Sequence, residues 1–396
     1  MLQAMDKHGN TITLFTNTYR EIVNMKKNAQ SFFCPICKGA VFIRSGKKVI
    51  PHFAHYSNPN CHAVEEGEGL YHERGKMLLF NWLIKQNLAV ELESYIKDIK
   101  QRPDLLLHIG KKRIAIEYQC ATISRELLKA RTEGYRSVGI YPLWILGANQ
   151  LKRKSAHKLR INTFVQSFIH QFSAQLSPRI FFFCPVANQF IIAHDIYMTS
   201  KQLAITTFIN SKLNQFSLLN LFDHKLFTSE NLYTLWEREK LIFRTKQRHK
   251  LSIQQLQWHK WLYSKNVYLH NLPSIIYLPI QSQLFMNKPL WEWQSSFVLE
   301  KLALLQTGET INIDSYKRIP KVNTTSEFPL TCNTFNPLYE YMLLLKQLQM
   351  FSQQSAITFR KQTDIYFPKT IDEAVIADRH LLHKLKQQKI SMFLPK

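Results

Sequence analysis

The chain has 396 residues, of which 45% are apolar and 20% charged, and this balance excludes an intrinsically disordered protein. The formal net charge is +24, which favours a large polyanion, most simply nucleic acid, as partner over a plain contribution to solubility or an anionic membrane surface. Apolar runs such as Tyr341–Leu345 are too short to span a membrane, and the first ten residues lack the apolar core of a signal peptide. We therefore expect a cytoplasmic protein without a membrane span.

The N-terminal part of the chain is predicted to be a small β module. Residues 10–43 have the pattern of short strands, for example Thr11–Phe15 and Gly39–Arg44. The acidic, glycine-rich segment Val64–Leu70 is typical of a linker, and it separates this module from the rest of the chain.

The next part alternates helices with buried strands. Helical spacing of apolar residues predicts a helix over Tyr71–Gln86, and Ser124 is a suitable N-cap for a second helix over Arg125–Tyr135. The predicted strands are 90–95, 104–107, 114–120, 143–146, 180–183 and 190–193. This order predicts an α/β fold in which a mixed sheet is flanked by helices.

Beyond residue 200 glycine becomes rare, and runs such as Tyr339–Ser352 and Ile371–Gln388 favour helices. We therefore predict three domains. They are a β module over residues 1–66, an α/β domain over 67–200, and a basic, mainly helical domain over 201–396.

The β module contains a group of residues typical of a structural zinc site. Cys34 and Cys37 form a CxxC pair, and Cys61 follows after the run PHFAH. The fourth ligand is expected to be His55, with His52 as the alternative. The other reading is a pair of unligated cysteines in a small β module.

Two carboxylates in the α/β domain are expected to share a divalent cation. Asp104 and Glu117 lie on adjacent predicted strands, and the glycine-containing, basic segment between them favours a β-hairpin that brings them together. Gln119 falls on the same face as Glu117 by strand periodicity. Buried carboxylates require a counter-ion, and Mg²⁺ or Mn²⁺ prefers such oxygen ligands. The alternative is a surface hairpin with incidental acids.

This arrangement, written RPD and then EYQ, resembles the PD-(D/E)xK nuclease pattern, with Gln119 where lysine is usual. The ordered motifs FFCPIC, PHFAH, RPDLLL and IAIEYQC resemble the competence protein CoiA family. The resemblance implies a nuclease-like domain behind a zinc-binding module. It also implies a role in natural transformation, where imported single-stranded DNA is processed or passed to recombination proteins.

The resemblance also assigns catalytic positions. Asp104 and Glu117 would hold Mg²⁺ and Gln119 would help to orient the attacking water, with His72 and Lys76 on the preceding helix. Glu73 is a candidate for the first-helix acid of such nucleases, although its helical face is expected to differ from that of His72 and Lys76. Glu68, in the linker, is a looser candidate.

Arg131 and Tyr135 share one face of the second predicted helix. They either meet the phosphate and line the site, or make an ordinary contact between helix and sheet. Glu93 is expected to face solvent together with Glu91.

Two basic stretches are candidates for DNA contacts, and the alternative is that they lie on solvated helix faces. Trp258 and Trp261 follow the second stretch, and we expect them in the core rather than stacked on bases. The predicted DNA-binding residues of the first stretch are Lys152, Arg153, Lys154, Lys158 and Arg160.

Together these features predict a Mg²⁺-dependent deoxyribonuclease of natural transformation. The rival prediction is a non-catalytic protein that binds single-stranded DNA and promotes recombination. An RNA-processing enzyme is a third alternative.

Overall fold

The structure is a computed structural model. It describes residues 3–14, 18–28, 30–35, 37–46, 49–56, 69–173, 176–223, 226–246, 251–316, 328–331 and 336–388. The chain divides into two compact units. The first unit contains Met1–Leu151, Ile180–Ile192 and Asn210–Asp223, and the second contains Lys152–Arg179, Ala193–Ile209 and His224–Lys396.

The first unit begins with a small antiparallel sheet in the strand order β2-β1-β3-β4-β5. Its strands are Gln3–Met5 (β1), Thr11–Thr13 (β2), Phe32–Phe33 (β3), Ala40–Gly46 (β4) and Val49–His55 (β5). Helix α1, Tyr19–Lys27, was not expected, so the prediction of strands throughout 10–43 is wrong there. A capping box of Thr18 and Glu21 starts this helix. Ile22 and Met25 are spaced by three residues, so both face the hydrophobic core of the small sheet.

A nine-stranded mixed sheet follows, in the order β10-β11-β14-β13-β12-β9-β8-β7-β6. Two helices of the first unit belong to this α/β region, namely α2 (Leu70–Ile84) and α3 (Arg125–Ser137). The strands are Ala89–Leu92 (β6), Leu105–Ile109 (β7), Lys112–Gln119 (β8), Ile140–Gly147 (β9), Lys152–Arg153 (β10), Lys158–Arg160 (β11), Arg179–Cys184 (β12), Gln189–Met198 (β13) and Leu203–Lys212 (β14). The predicted fold class is confirmed.

The hairpin of β7 and β8 is the part of the sheet that positions the acids. Its antiparallel register pairs Leu105 with Ile116, and Gly110 takes a φ of 55° in the turn. Strand β8 then runs parallel to β9, with α3 as the crossover between them. Helix α2 approaches β8 so closely that a Cβ at Gly75 would lie 2.0 Å from the ring of Tyr118, so only glycine fits there.

Helices dominate the second unit, and a three-stranded sheet in the order β15-β17-β16 accompanies them. The predicted helix over Tyr339–Ser352 ends at Gln347, because Gln349 takes a φ of 60° and the chain continues as a strand. The helices are Thr163–Ser167 (α4), Ser229–Thr245 (α5), Ile253–Ser264 (α6), Leu290–Phe297 (α7), Pro337–Gln347 (α8) and Ile371–Lys386 (α9), and the strands are Thr310–Asn312 (β15), Phe351–Gln353 (β16) and Thr358–Lys361 (β17).

The core of this unit is unusually aromatic. Trp236, Trp293, Phe297 and Tyr341 are fully buried in one hydrophobic cluster. Within the described ranges, no helix combines the length and the apolar character needed to cross a bilayer.

Candidate nuclease and metal sites

Three of the four predicted zinc ligands come together in the β module. The Sγ atoms of Cys34 and Cys37 and a ring nitrogen of His55 all lie within 4.8 Å of one another, and Cys37 Sγ is 3.3 Å from His55 Nε2. Cys61 lies outside the described residues. The alternative ligand His52 is on the same strand as His55 but is not a member of this group.

The local backbone explains why these donors converge. Lys38 takes a φ of 58°, and the amides of Lys38 and Gly39 approach Cys34 O and Cys37 Sγ at 3.0 and 3.4 Å. This tight turn after β3 brings together soft donors that could hold a metal ion. Burial is the main cause that lowers the pKa of His55, which favours the neutral imidazole that binds metals.

A second group of polar side chains surrounds Lys76 of α2, whose side chain is 0% exposed. Its Nζ lies 2.6 Å from Glu93 Oε1, 3.4 Å from Glu73 Oε1 and 3.7 Å from Asp104 Oδ1. A buried ammonium is stable only with compensating negative charge, and here three carboxylates supply it. We call Glu73, Lys76, Glu93 and Asp104 the lysine cluster.

The prediction that Glu93 faces solvent is wrong. Glu93 is 5% exposed and takes a φ of 49°, which breaks the alternation of β6 and turns its side chain inward. Its amide donates to Asp104 O at 2.9 Å, and its carboxylate also lies 3.6 Å from Arg102 Nη1. Glu91 remains exposed, as predicted. A left-handed glutamate at the edge of a polar cluster stores backbone strain of the kind found at functional sites.

Glu73 also belongs with its helical neighbours, contrary to the expectation that its face differs from theirs. It is 5% exposed and reaches Lys76 across one turn, because the buried stripe of α2 is wide enough to include positions 100° apart. His72 Nε2 lies 3.4 Å from Asp104 Oδ2, and the His72 ring stacks on Tyr118 at 5.6 Å. The structure therefore brings together all three predicted helix residues.

Glu117 lies beside Asp104 but contacts a different cation. The register of β7 and β8, continued by one residue, sets position 104 opposite 117. Glu117 is 4% exposed, and its Oε1 accepts hydrogen bonds from Arg131 Nη2 at 2.6 Å and from the hydroxyl of Tyr135. Burial, followed by the charge of Glu117, raises the pKa of Tyr135 well above its ordinary value, so the phenol remains a donor.

Gln119 does not join these acids in the contacts that the structure describes. Its Nε2 donates to Ala121 O at 2.8 Å, in the loop after β8. Strand periodicity placed it correctly on the face of Glu117, but the strand ends at Gln119 and the side chain bonds to the following loop. The amide is therefore used locally.

Four carboxylates are gathered in this region. Among the described residues, Glu73, Glu93, Asp104 and Glu117 lie close to three cations and to His72. Carboxylate oxygens are hard donors of the kind that Mg²⁺ or Mn²⁺ prefers, so the donor set fits such an ion. The three cations are Lys76, Arg102 and Arg131.

The predicted DNA-binding residues lie on a β-hairpin and not on a helix face. Strands β10 and β11 pair Lys152 with Arg160, and Lys154 N donates to Lys158 O. Arg153 Nε and Nη2 donate to carbonyls of the turn, and its guanidinium lies 4.3 Å from the ring of Phe208. Since opposed residues share a face, four of the five cations project to one side.

Two of those four cations contact other side chains of the second unit. Lys158 pairs with Glu239, and Arg160 donates to Gln202 at 2.9 Å. Trp258 is 7% exposed and donates to Ser295, as expected for a core residue.

A mixed sheet with a hairpin that carries Asp and Glu, facing polar residues of a preceding helix, defines the nuclease-like class of α/β domain. Residues 68–226 match the family model of the competence protein CoiA nuclease-like domain. Residues 14–64 and 232–375 match the N-terminal and C-terminal domains of the same family. The chain belongs to the competence protein CoiA family.

A curated relative supports this membership. Competence protein CoiA of Bacillus subtilis (strain 168) is 31% identical over 284 residues, which cover 70% of this chain and 73% of the relative. No solved structure matches the chain significantly.

Proposed function

We propose that this protein hydrolyses phosphodiester bonds of DNA with a divalent cation, and that its substrate is single-stranded DNA imported during natural transformation. The observation that carries the proposal is the lysine cluster beside the buried Glu117. Glu117 lies near the carboxyl end of β8, which pairs in parallel with β9. Open α/β sheets bind their ligands at the carboxyl ends of parallel strands.

Asp104 and Glu117 would hold Mg²⁺ or Mn²⁺. Glu73 and Glu93 contact Lys76, which also lies beside Asp104, so their charges would influence the electrostatic potential at the ion. The bound ion would stabilise negative charge on the scissile phosphate. Lys76 would supply the ammonium that the nuclease pattern usually carries at the position of Gln119. Its Nζ already lies 3.7 Å from Asp104 Oδ1, although it comes from a helix instead of the strand.

The second candidate is a non-catalytic protein that binds single-stranded DNA and hands it to recombination proteins. Two observations favour it. Asp104 and Glu117 each have a cationic partner, Lys76 and Arg131, which can balance their charges without a metal. In addition, the amide of Gln119 bonds to Ala121.

A cleavage assay on end-labelled single-stranded DNA with Mg²⁺ or Mn²⁺ separates the two. We expect the wild type to cleave, and D104N and E117Q to lose at least about 100-fold in rate, since each removes a proposed metal ligand. E91Q is the matched control, because Glu91 is an exposed acid on the neighbouring strand β6. All variants should bind DNA normally in EDTA.

If the wild type binds DNA but cleaves with neither metal, the mediator is the correct function. If unlabelled RNA competes better than unlabelled DNA, the substrate is RNA and the protein is an RNA-processing enzyme.

We further propose that the Cys34, Cys37 and His55 group holds structural zinc, with Cys61 as the fourth ligand. The support is the soft donor set on a tight turn. Elemental analysis of the purified protein should find about one zinc per chain, and C34S should lose it. A stoichiometry near zero in protein purified without chelator would refute the proposal.

We also propose that the hairpin of β10 and β11 contacts DNA phosphates. Lys152 and Lys154 are exposed on one face of the hairpin. Removing a lysine that contacts phosphate weakens DNA binding by a similar factor for all DNA sequences. Each of K152Q and K154Q should lower the slope of log affinity against log salt by about one. An unchanged slope in both variants would exclude the hairpin from the interface.

A further inference from the structure

A row of four aromatic rings, two exposed and two half-buried, lies on the second unit, and neither the proposed site nor the hairpin uses it. We define the aromatic row as His259, Tyr263, Tyr268 and His270. The ring centroids of successive members are 6.5, 5.3 and 5.6 Å apart, and the rings of Tyr268 and His270 are nearly parallel at 7°. The row is therefore a continuous series of ring contacts.

The sequence builds this row from one helix and the turn that follows it. His259 and Tyr263 are one turn apart on α6. Helix α6 ends in a Schellman motif, in which Asn266 takes a φ of 54° and the amides of Asn266 and Val267 donate to Tyr263 O and Leu262 O. Asn266 tolerates this left-handed conformation, and the turn returns the chain so that Tyr268 meets Tyr263.

The two tyrosines are exposed although large rings fill the core beside them. Tyr263 is 55% exposed and Tyr268 is 51% exposed, whereas Trp258, whose ring lies 5.1 Å from that of His259, is 7% exposed. Single exposed aromatic residues are common, whereas two exposed rings in contact form a small patch that a flat ligand can cover. A cavity of about 200 Å³ adjoins the row at His259, and Lys246 and Gln255 give it polar edges.

The chain around the row is entirely free of acidic residues. From residue 240 to 291 the sequence contains eight Lys or Arg and no Asp or Glu. Lys260, next to His259, is exposed, while Lys265 pairs with Glu300 at 3.5 Å. Aromatic rings in a cationic stretch suit a ligand that carries both flat apolar faces and negative charge. The eight cations are Lys240, Arg244, Lys246, Arg248, Lys250, Lys260, Lys265 and Lys288. Lys240 and Arg244 are buried and pair with Asp378, whereas Lys246 and Lys260 are exposed and add positive charge to the surface.

We propose that the aromatic row binds single-stranded DNA by stacking its bases on Tyr263 and Tyr268. Only an unpaired strand presents free base faces, so the row discriminates single strands from duplex without reading sequence. The choice of DNA over RNA rests on the proposed function. The stacking itself does not depend on cleavage at Asp104.

Fluorescence anisotropy with a labelled 20-mer of thymidylate, in EDTA so that no cleavage runs, tests the row. Stacking of one base on one ring predicts that Y263A and Y268A each weaken binding by about 5- to 150-fold. Y263F and Y268F should bind like the wild type, because the ring is kept. Y141A is the matched control, since Tyr141 is 59% exposed on β9 in the first unit.

An abasic 20-mer with the same backbone separates stacking from a general loss of structure. The wild type should bind it more weakly, and Y263A and Y268A should cause no further loss. Equal losses on the abasic and the normal strand would overturn the proposal, as would normal binding of both alanine variants, which would point instead to a protein partner. Tighter binding of uridylate would reassign the row to RNA. Failure of wild-type cleavage would affect only the nuclease proposal, because binding is measured without metal.

Discussion

Replacing Lys76 by methionine tests the central electrostatic feature of the first unit. Lys76 is fully buried, and its ammonium lies between the carboxylates of Glu73, Glu93 and Asp104 at 3.4, 2.6 and 3.7 Å. Methionine keeps most of the side-chain volume but removes the charge. The three carboxylates would then repel one another in a site that water barely enters.

The expected cost follows from the burial of these groups. Removing one partner of a buried ion pair costs about 3–5 kcal/mol, because the remaining charge loses its compensation. For a unit of this size the same loss lowers the unfolding midpoint by roughly 6–20 °C. A divalent cation that binds only the folded carboxylates restores about 2.7 kcal/mol when its concentration is 100 times its dissociation constant.

Thermal and urea unfolding in EDTA, followed by titration with Mg²⁺, measures both effects. K129M is the matched control, because Lys129 makes an exposed ion pair with Glu133 at 3.7 Å whose contribution is only about 0.3–0.5 kcal/mol. The double variant K76M/E93Q should be more stable than K76M, since it removes one of the repelling charges. If K76M and K129M have the same unfolding midpoints, or if Mg²⁺ stabilises neither K76M nor the wild type, the carboxylates do not form a cation site.

Three other predictions concern separate parts of the chain. Y135F removes a hydrogen bond to the buried charge of Glu117 and should lower the free energy of unfolding by about 1.5–3 kcal/mol in urea titrations, whereas no loss would show that the bond is unimportant. H55A should release the bound metal and H52A should retain it in elemental analysis, and the reverse result would exchange the ligands. Burial raises the pKa of Asp195 to about 6. The folded state therefore binds the proton more tightly than the unfolded state, so the contribution of Asp195 to stability should fall by about 3 kcal/mol as pH rises from about 4 to 7, and the wild type should lose that much relative to D195N over that range. Parallel curves for the two proteins would contradict the assignment.

The β7 and β8 hairpin was predictable from local pattern alone. A period of two in the apolar residues and Gly110 at the turn fix its register, and the register sets Asp104 against Glu117. The proximity of Cys34 and Cys37 was equally predictable from local pattern, because the two residues are only three positions apart in the sequence. Signals of this kind need no information about distant elements.

Glu93 and the aromatic row could not be predicted in this way. A positive φ at a glutamate leaves no mark in the alternation of polar and apolar residues, so periodicity assigned Glu93 to solvent. Likewise, Trp258 and Tyr263 lie on the same helix, and sequence alone does not say that one is 7% and the other 55% exposed. The outcome depends on which face of α6 meets the core of the second unit. The exposed tyrosines were missed for that reason, although the acid-free stretch around them was visible in the sequence.

Under the proposed function, four neighbouring carboxylates in a chain of charge +24 separate the long-range attraction of DNA from the metal-dependent reaction. The carboxylates of Glu73, Glu93, Asp104 and Glu117 each repel a phosphodiester at short range. A divalent cation held by Asp104 and Glu117, as proposed, would offset that repulsion. Long-range attraction by the surface lysines and arginines needs no metal and is screened by salt. Salt should therefore weaken binding whether or not metal is present, whereas EDTA should stop cleavage and leave binding by the aromatic row intact.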